Sequence, residues 1–246
     1  ILIRIILKVD YNKYYEKANI ILGICFLLLI LVLIPGIGTV RNGSRSWFGI
    51  GPFGIQPSEF AKLGLIVFTS KYLSNSNKFL KSYKKGVFPI LGVMLLFFGL
   101  IMLQPDLGTG LVLAMTIVSL LFIAGVNMKF FFGVGILGVI GVIILIIIAP
   151  YRMDRITAFV NPWKDSLGTG FQIIQSLYAI GPGGLLGRGY LKSIQKQFYL
   201  PEPQTDFIFS IICEEFGVLG AFIVALLFFF FLYFGFKIAL NSKDLF

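Results

Sequence analysis

The sequence predicts an all-α protein, a polytopic bundle of transmembrane helices with one large structured extracytoplasmic loop. Hydrophobic residues make up 57% of the chain, 27 of them phenylalanine, and the mean hydropathy is +0.92. Such values are typical of membrane proteins. A helix needs roughly 20 apolar residues to cross about 30 Å of hydrocarbon. Runs that approach or exceed this length lie at residues 19–37, 87–103, 109–126, 130–149 and 207–236.

A sixth run, residues 57–73, is amphipathic rather than uniformly apolar. Its Glu59 and Lys62 are three positions apart, a spacing that puts both side chains on one face of a helix. We interpret the run as a span whose polar face points into the bundle. The same pair could instead serve only to hold the helix in place. With this helix the chain contains about six spans.

The distribution of basic residues predicts the orientation of the spans, because lysine and arginine in short loops stay on the cytoplasmic side. Six alternating spans place one set of lysines there: Lys8, Lys13, Lys17, Lys71, Lys78, Lys81, Lys84, Lys85, Lys129, Lys237 and Lys243. Residues 38–56, 104–108 and 150–206 then face outward. Their mixture of basic and acidic residues suggests an anionic ligand on that face. The net charge of +10 follows from topology and anionic lipid, and indicates no nucleic acid partner.

Two side-chain types limit the chemistry. The sequence contains no histidine, which excludes a Ser-His-Asp triad and ordinary zinc sites from these residues. Cys25 and Cys213 fall within apolar runs, where a thiol behaves as a small hydrophobic group. Proton transfer must therefore come from Asp, Glu, Lys or Tyr.

Residues 150–206 form the one long segment between predicted spans. A loop of that length is uncommon unless it is functional or disordered, and its aromatic and aliphatic content predicts a structured loop. Its glycine-rich stretch 181–189 could cradle phosphate through backbone N–H groups. It lacks the Gly-Lys-Ser/Thr ending of a P-loop, so a flexible turn is the favoured interpretation.

An acidic residue lies at the start of the last apolar run. The proline-containing segment Tyr199–Phe209 places Asp206 there, and the run that follows is interrupted chiefly by Glu214 and Glu215. Ionisable groups at or inside a membrane helix are costly and mark functional sites by default. Asp206 is therefore the first candidate functional residue.

Other polar residues also have ordinary interpretations. Arg152 and Arg155 lie at a predicted membrane interface, where arginine commonly extends toward lipid headgroups. Asp106 suits the N-cap of the next helix. Trp47 and Trp163 could be interfacial anchors, the usual role of tryptophan in membrane proteins.

Several motifs together are similar to one family. In chain order they are Arg45–Gly51, Gln56–Glu59, Gln104–Gly110, Asn161–Pro162, Gly170–Gln172, Gln175–Ser176, Ala179–Gly181, Gln195–Lys196, Tyr199–Glu202, Thr205–Phe209 and Glu214–Gly217. Their unbroken order from about residue 40 to 220 resembles the SEDS family of RodA, FtsW and SpoVE. The Gln195–Lys196 pair resembles the FtsW and SpoVE branch more than RodA. Pro203–Gln204 replaces the more usual Ala-His, which argues that this histidine is not essential to the chemistry.

The resemblance implies ten spans with both termini in the cytoplasm. Residues 1–246, expected to form a single membrane domain, would then be a fragment that lacks roughly two helices at each end. The resemblance also implies a peptidoglycan glycosyltransferase that polymerises lipid II at the outer face of the bacterial cytoplasmic membrane, in division, elongation or sporulation. Its partners would be a class B penicillin-binding protein and other divisome or elongasome membrane proteins.

The family motif marks Asp206 as the catalytic residue, and we expect it to be the general base for a sugar hydroxyl. Cationic side chains would bind the pyrophosphates, with arginine best suited to bidentate phosphate contacts. The substrate-binding candidates are Arg41, Arg45, Trp47, Glu59, Lys62, Arg152, Arg155, Gln175, Ser176, Lys196, Glu202 and Thr205. No cofactor is certain. Mg²⁺ or Mn²⁺ could neutralise the leaving group, although no ligand cluster demands one.

Two other functions stay open. In a flippase or transporter of lipid II, the same intramembrane charges would mark a translocation path. A non-catalytic scaffold of the cell-wall assembly machinery would tolerate the loss of Asp206. The charged motifs gather on the predicted outer side, whereas a transporter should have polar groups across the full depth of the membrane. This distribution favours the enzyme.

Overall fold

A computed structural model of the chain describes residues 6, 8–41, 43–49, 54–75, 83–148, 151–197 and 199–246, with the backbone alone at Tyr151 and Arg152. Lys78 and Lys81, and Ile50 and Gly51 of the first motif, lie outside these residues. The helices are α1 (Asn12–Leu33), α2 (Pro57–Asn75), α3 (Phe88–Met102), α4 (Leu107–Ile123), α5 (Met128–Ile148), α6 (Tyr151–Val160), α7 (Phe171–Ile180) and α8 (Ile208–Asn241).

Shorter elements connect these helices. Strands β1 (Thr39–Arg41) and β2 (Ser44–Trp47) form an antiparallel hairpin between α1 and α2. A π-helical turn, Tyr83–Val87, leads into α3, and 3₁₀ turns lie at Pro162–Asp165 and Gly181–Gly183. Most of residues 151–183 is therefore helical, which confirms that the long loop is structured.

A helix lies at each of the six predicted spans. Within the described residues, four segments are long and apolar enough to cross a membrane: Asn12–Leu33, Tyr83–Met102, Met128–Ile148 and Ile208–Asn241. α4 is apolar but has 17 residues, and α2 carries the charges of Glu59, Lys62 and Lys71. The predicted class, an all-α multi-pass membrane protein, is confirmed.

The chain divides into two compact units, one of Ile1–Gly135 with Lys243–Phe246 and the other of Ile136–Ser242. In the first unit α1, α2, α3 and α4 surround a core of fully buried side chains that includes Leu29, Leu65 and Phe97. Each of these helices turns an apolar face toward the others, and burial of that surface stabilises the unit. The single membrane domain stays a prediction.

α2 packs through its small residues rather than its charged ones. Ser58, Ala61 and Gly64 are buried, and a Cβ added to Gly64 would lie 2.8 Å from the Sγ of Cys25 in α1. Small residues let membrane helices approach closely. The Glu59 side chain is 54% exposed. The Lys62 side chain is 21% exposed. The inward direction of the polar face of this helix stays a prediction.

α8 is broken at Gly217, whose φ of 64° and ψ of −158° are not helical. A break leaves backbone N–H and C=O groups without intrahelical partners. Residues Gly183–Gly189, which we call the glycine segment, pair with the broken turn. The hydrogen bonds run from Arg188 N to Glu214 O and Gly189 N to Glu215 O (both 2.9 Å), from Val218 N to Gly184 O (2.9 Å) and from Leu219 N to Leu185 O (3.2 Å).

This pairing brings two backbones so close that side chains are excluded. A Cβ on Gly187 would lie 2.1 Å from Glu215 O, and one on Gly217 would lie 2.5 Å from Gly187 N. Both residues also have positive φ, which glycine adopts without a steric penalty. The glycine segment is thus fixed to α8 rather than a free turn, and the N–H groups of Arg188 and Gly189 are not available to a phosphate.

Replacement of Gly217 by alanine should destabilise the protein. Strained positive-φ backbone at a residue with a Cβ costs about 1–3 kcal/mol, and the added methyl would also press on the glycine segment. Gly235→Ala is the matched control in α8, because a Cβ there meets no atom within 4 Å and alanine favours a helix. Thermal unfolding of the purified full-length protein should show a lower midpoint for Gly217→Ala alone. Equal midpoints for the two variants would contradict the role of the break.

Candidate catalytic and substrate-binding site

Asp206 lies in the turn that leads into α8. The backbone N–H groups of Thr205 and Phe207 both donate to Glu202 O, at 3.3 and 3.4 Å, and Glu202 adopts a positive φ of 51°. α8 begins at Ile208. The Asp206 side chain is exposed, and no side-chain hydrogen bond or ion pair to it is found among the described residues. The turn therefore presents an accessible carboxylate at the end of a membrane span.

Two substrate-binding candidates lie in the same turn as Asp206. The Thr205 hydroxyl lies 3.3 Å from Oε2 and 3.4 Å from the backbone oxygen of Glu202. Both side chains are exposed. The structure thus groups Glu202, Thr205 and Asp206 within one short surface turn, as the motif suggested.

Ser176 serves a contact between helices. Its hydroxyl lies 2.8 Å from that of Ser210, which is buried in the first turn of α8. Gln175 is half-buried on the same helix, α7. Ser176 therefore holds α7 against the first turn of α8, which directly follows the turn that carries Asp206.

Lys196 is paired with an acid. Its Nζ donates to Oε1 of Glu215, a side chain buried in α8. A lysine that neutralises a buried carboxylate is not a free cation for phosphate, which differs from the role expected of it. Arg155 is exposed on α6. The side chain of Arg152 lies outside the described residues.

Glu214 is a residue whose role the sequence reasoning missed. It is 1% exposed and accepts hydrogen bonds from Ser193 Oγ (2.6 Å), Ile194 N (2.9 Å) and Gln195 N (3.3 Å). Arg188 Nη1 lies 3.9 Å from its Oε1. The signal was present, since two adjacent acids interrupt an apolar run, but no pattern in the sequence named their partners.

Asp165 closes the turn between α6 and α7. The backbone N–H and the hydroxyl of Thr169 donate to its Oδ2, at 2.8 and 3.1 Å, and these bonds lower the pKa of Asp165 below its ordinary value. Gly170 N donates to Asp165 O at 3.0 Å. The carboxylate is therefore a structural group that joins the Asn161–Pro162 motif to α7.

In the first unit, three candidates belong to the β1–β2 hairpin. The Arg41 guanidinium carbon lies 4.9 Å from the centroid of the Trp47 ring, a cation–π contact. A Cβ on Gly54 would lie within 2.9 Å of both side chains. Arg45 in β2 faces Val40 in β1. The hairpin thus brings Arg41 and Trp47 together and carries Arg45 in its second strand.

The Gln56–Glu59 and Gln104–Gly110 motifs meet at Asp106. Its Oδ1 accepts from the backbone N–H of Thr109 at 3.1 Å, which confirms the predicted cap of α4, and its Oδ2 accepts from Gln56 Nε2 at 3.0 Å. Ser44 of the hairpin donates to Gln104 O. One turn further into α2, Lys62 donates to Glu59 at 2.9 Å.

The possibility of a bound cation stays a prediction. Among the residues that the structure describes, no three Asp, Glu or Cys side chains form a group able to hold a metal ion.

The comparison with known proteins places the chain in a family. The family model described as cell cycle protein, which groups FtsW, RodA and SpoVE, matches residues 1–246. The chain belongs to this family. Stage V sporulation protein E of Bacillus subtilis (strain 168) is 52% identical over 241 residues, which are 98% of this chain and 66% of that protein. The probable peptidoglycan glycosyltransferase FtsW of Saccharophagus degradans is 42% identical over 229 residues, 93% of this chain and 59% of that protein.

Two solved structures share the fold. One is a chain of a structure described as structural coordination of polymerization and crosslinking by a peptidoglycan synthase complex. It aligns with a TM-score of 0.70 and 32% identity, over 96% of this chain and 65% of that one. Rod shape determining protein RodA of Thermus thermophilus aligns with a TM-score of 0.62 and 27% identity, over 96% and 60%. The chain thus spans less than two thirds of the length of these relatives.

Loss of the side-chain oxygen of Asp106 that caps α4 should destabilise the first unit. Asp106→Ala removes the N-cap of α4 and the partner of Gln56, and an N-cap substitution of this kind costs about 1 kcal/mol. Asp106→Asn is the matched control, because asparagine caps helices as well as aspartate does. Thermal unfolding of the full-length protein should separate the two variants. A midpoint as low for Asn as for Ala would show that capping is not the contribution that matters.

Proposed function

We propose that the full-length protein polymerises lipid II into glycan strands at the outer face of the bacterial cytoplasmic membrane. Family membership supports this, as do the relatives named peptidoglycan glycosyltransferase. The observation that carries the proposal is the exposed carboxylate of Asp206 just before the N-terminus of α8. A polyprenyl tail could stay in the lipid while its headgroup reaches a group placed there.

Asp206 would act as the general base. It takes the proton from the 4-hydroxyl of one disaccharide, and that oxygen forms the new bond to the anomeric carbon of another. The bond from that carbon to the pyrophosphate oxygen breaks, and undecaprenyl pyrophosphate leaves with the electron pair. A positioned base typically accelerates such a step about 10²- to 10⁴-fold. Asp206 suits this role, because it is exposed and no side-chain partner for it is found in the part of the chain that the structure describes, so its oxygens are available to the hydroxyl.

Cationic groups would stabilise the pyrophosphate. Lys196 pairs with Glu215. We assign the binding of pyrophosphate to arginine, with Arg41, Arg45, Arg152 and Arg155 as candidates. Arginine matches phosphate geometry with two parallel N–H donors. A divalent cation, Mg²⁺ or Mn²⁺, could add to this stabilisation.

A class B penicillin-binding protein would be the partner that crosslinks the strands. The likeness to a chain of a peptidoglycan synthase complex supports this assignment. Among division, elongation and sporulation, we favour sporulation, because the chain is 52% identical to stage V sporulation protein E.

Asp206→Ala should abolish polymerisation. Purified full-length protein, with its penicillin-binding partner, is incubated with labelled lipid II and the products are resolved by gel. The wild type should yield glycan strands, and the variant should lose about 10²-fold or more of the rate, because the base is absent. Asp154→Asn is the matched control, an exposed aspartate on α6 that should keep the wild-type rate.

Other outcomes would contradict the proposal. An Asp206→Ala variant that polymerises as fast as the wild type shows that this carboxylate is not the base. Lipid II that crosses a vesicle membrane without polymer formation supports a flippase instead. A wild type that binds its partner but neither polymerises nor translocates lipid II supports a scaffold.

A further inference from the structure

α8 buries two adjacent acids that the proposed reaction does not use. Glu214 is 1% exposed and Glu215 is 5% exposed, in a helix that is otherwise almost entirely apolar. A buried charge is tolerated only when it is paired and hydrogen-bonded. The hydrogen-bond and ion-pair partners of both side chains come from residues 188–196, which we call the anchor segment.

Both oxygens of Glu214 are faced by donors of the anchor segment. Oε1 accepts from Ile194 N at 2.9 Å and lies 3.9 Å from Arg188 Nη1. Oε2 accepts from Ser193 Oγ at 2.6 Å and from Gln195 N at 3.3 Å. A single buried carboxylate thus holds three consecutive residues of the segment.

Glu215 adds a second attachment beside the first. Its Oε1 accepts from Lys196 Nζ and from the backbone N–H of Ser193, the latter at 3.4 Å. Ser193 Oγ in turn accepts from Lys196 N at 3.2 Å. These bonds close the anchor segment into a compact turn over the buried part of α8.

A continuous series of contacts runs from the anchor segment to Asp206. Gln195 O accepts from Leu200 N at 2.9 Å, and the Leu200 side chain is 2% exposed. Two residues later, Glu202 O accepts the backbone N–H groups that form the Asp206 turn. That turn then joins α8 itself. Asp206 is therefore held between the first turn of α8 and a segment that is tied to the same helix by Glu214.

We propose that Glu214 is a positioning residue for Asp206: its buried carboxylate fixes the anchor segment and, through Leu200, the turn that presents the base. This inference rests on the proposed function, because Asp206 needs a defined position only if it acts on a substrate. Displacement of a reacting group by about 1 Å can reduce a rate about 100-fold. The hydrogen bonds of Glu214 to the anchor segment would give Asp206 the defined position that such a rate requires.

Glutamine cannot replace Glu214 in this arrangement. If its NH₂ group takes the place of Oε1, it faces the N–H of Ile194, and if it takes the place of Oε2, it faces the N–H of Gln195. Each orientation sets a donor against a backbone donor. Glu214→Gln should therefore release part of the anchor segment although the side chain keeps its size.

The test measures the order of the Asp206 turn and the rate together. Full-length protein in lipid nanodiscs carries spin labels at Gln204, in the turn, and at Leu227 in α8, both exposed. Cys25 and Cys213 are buried, and exposed cysteines elsewhere are replaced. In Glu214→Gln the distance distribution should broaden and kcat for lipid II polymerisation should fall about 10- to 100-fold. KM and the shape of the pH profile should stay the same, because the base and the phosphate-binding groups are unchanged.

Lys192→Ala is the matched control, an exposed charge in the same segment that should change neither readout. Ser193→Ala removes one donor to Glu214 and should give a smaller change in the same direction, which keeps the test valid if Glu214→Gln does not fold. A narrow distribution with wild-type kcat in Glu214→Gln would overturn the inference, and so would a fall in kcat without broadening. If the wild type makes no polymer, the proposed function fails, whereas the distance measurement still decides whether Glu214 orders the turn.

Discussion

The second unit depends on the pairing between the glycine segment and the break in α8 at Gly217. A helix broken near a membrane core exposes N–H and C=O groups that lipid cannot satisfy. The glycine segment provides their partners. Glu214 and Glu215, whose carbonyls accept two of these bonds, also bind the anchor segment through their side chains. One short stretch of α8 therefore fixes two successive parts of the preceding chain, and the turn with Asp206 follows directly from the second.

The helices at the six predicted spans could be predicted from the sequence, because five are apolar runs that approach or exceed the length of a span and the sixth is amphipathic. The cap at Asp106 was equally visible, since a short acceptor before a helix has a local reason to be there. The close packing of α2 was not predicted. The sequence drew attention to Glu59 and Lys62, whereas the structure buries Ser58, Ala61 and Gly64 and places Gly64 against Cys25 of α1. Packing between two helices depends on the side chains of both, and the sequence of one helix does not predict it.

The candidate site likewise contains one feature that the sequence predicted and one that it did not. The position of Asp206 beside a span was a local feature of the sequence, and its exposure in the turn agrees with the role given to it. Lys196 was predicted to bind pyrophosphate because its side chain is a cation within the family's motifs. Its partner, Glu215, lies 19 positions later, and the two meet where the preceding chain folds back onto α8 beside the glycine segment. Neither the hydrophobic periodicity of the sequence nor the order of its motifs predicts such a contact.

The arrangement separates two demands that conflict in one side chain. A general base must be accessible to the hydroxyl that it deprotonates, and an accessible side chain on a surface turn has few contacts to hold it. Burial provides those contacts but removes access. Glu214 lies about 9 Å along the axis of α8 from Ile208, the first residue of the helix, at 1.5 Å per residue, and its carboxylate is buried. The exposed carboxylate of Asp206 lies just before Ile208. Because both groups belong to one continuous segment, the order imposed at Glu214 reaches Asp206 along the helix as well as through the anchor segment.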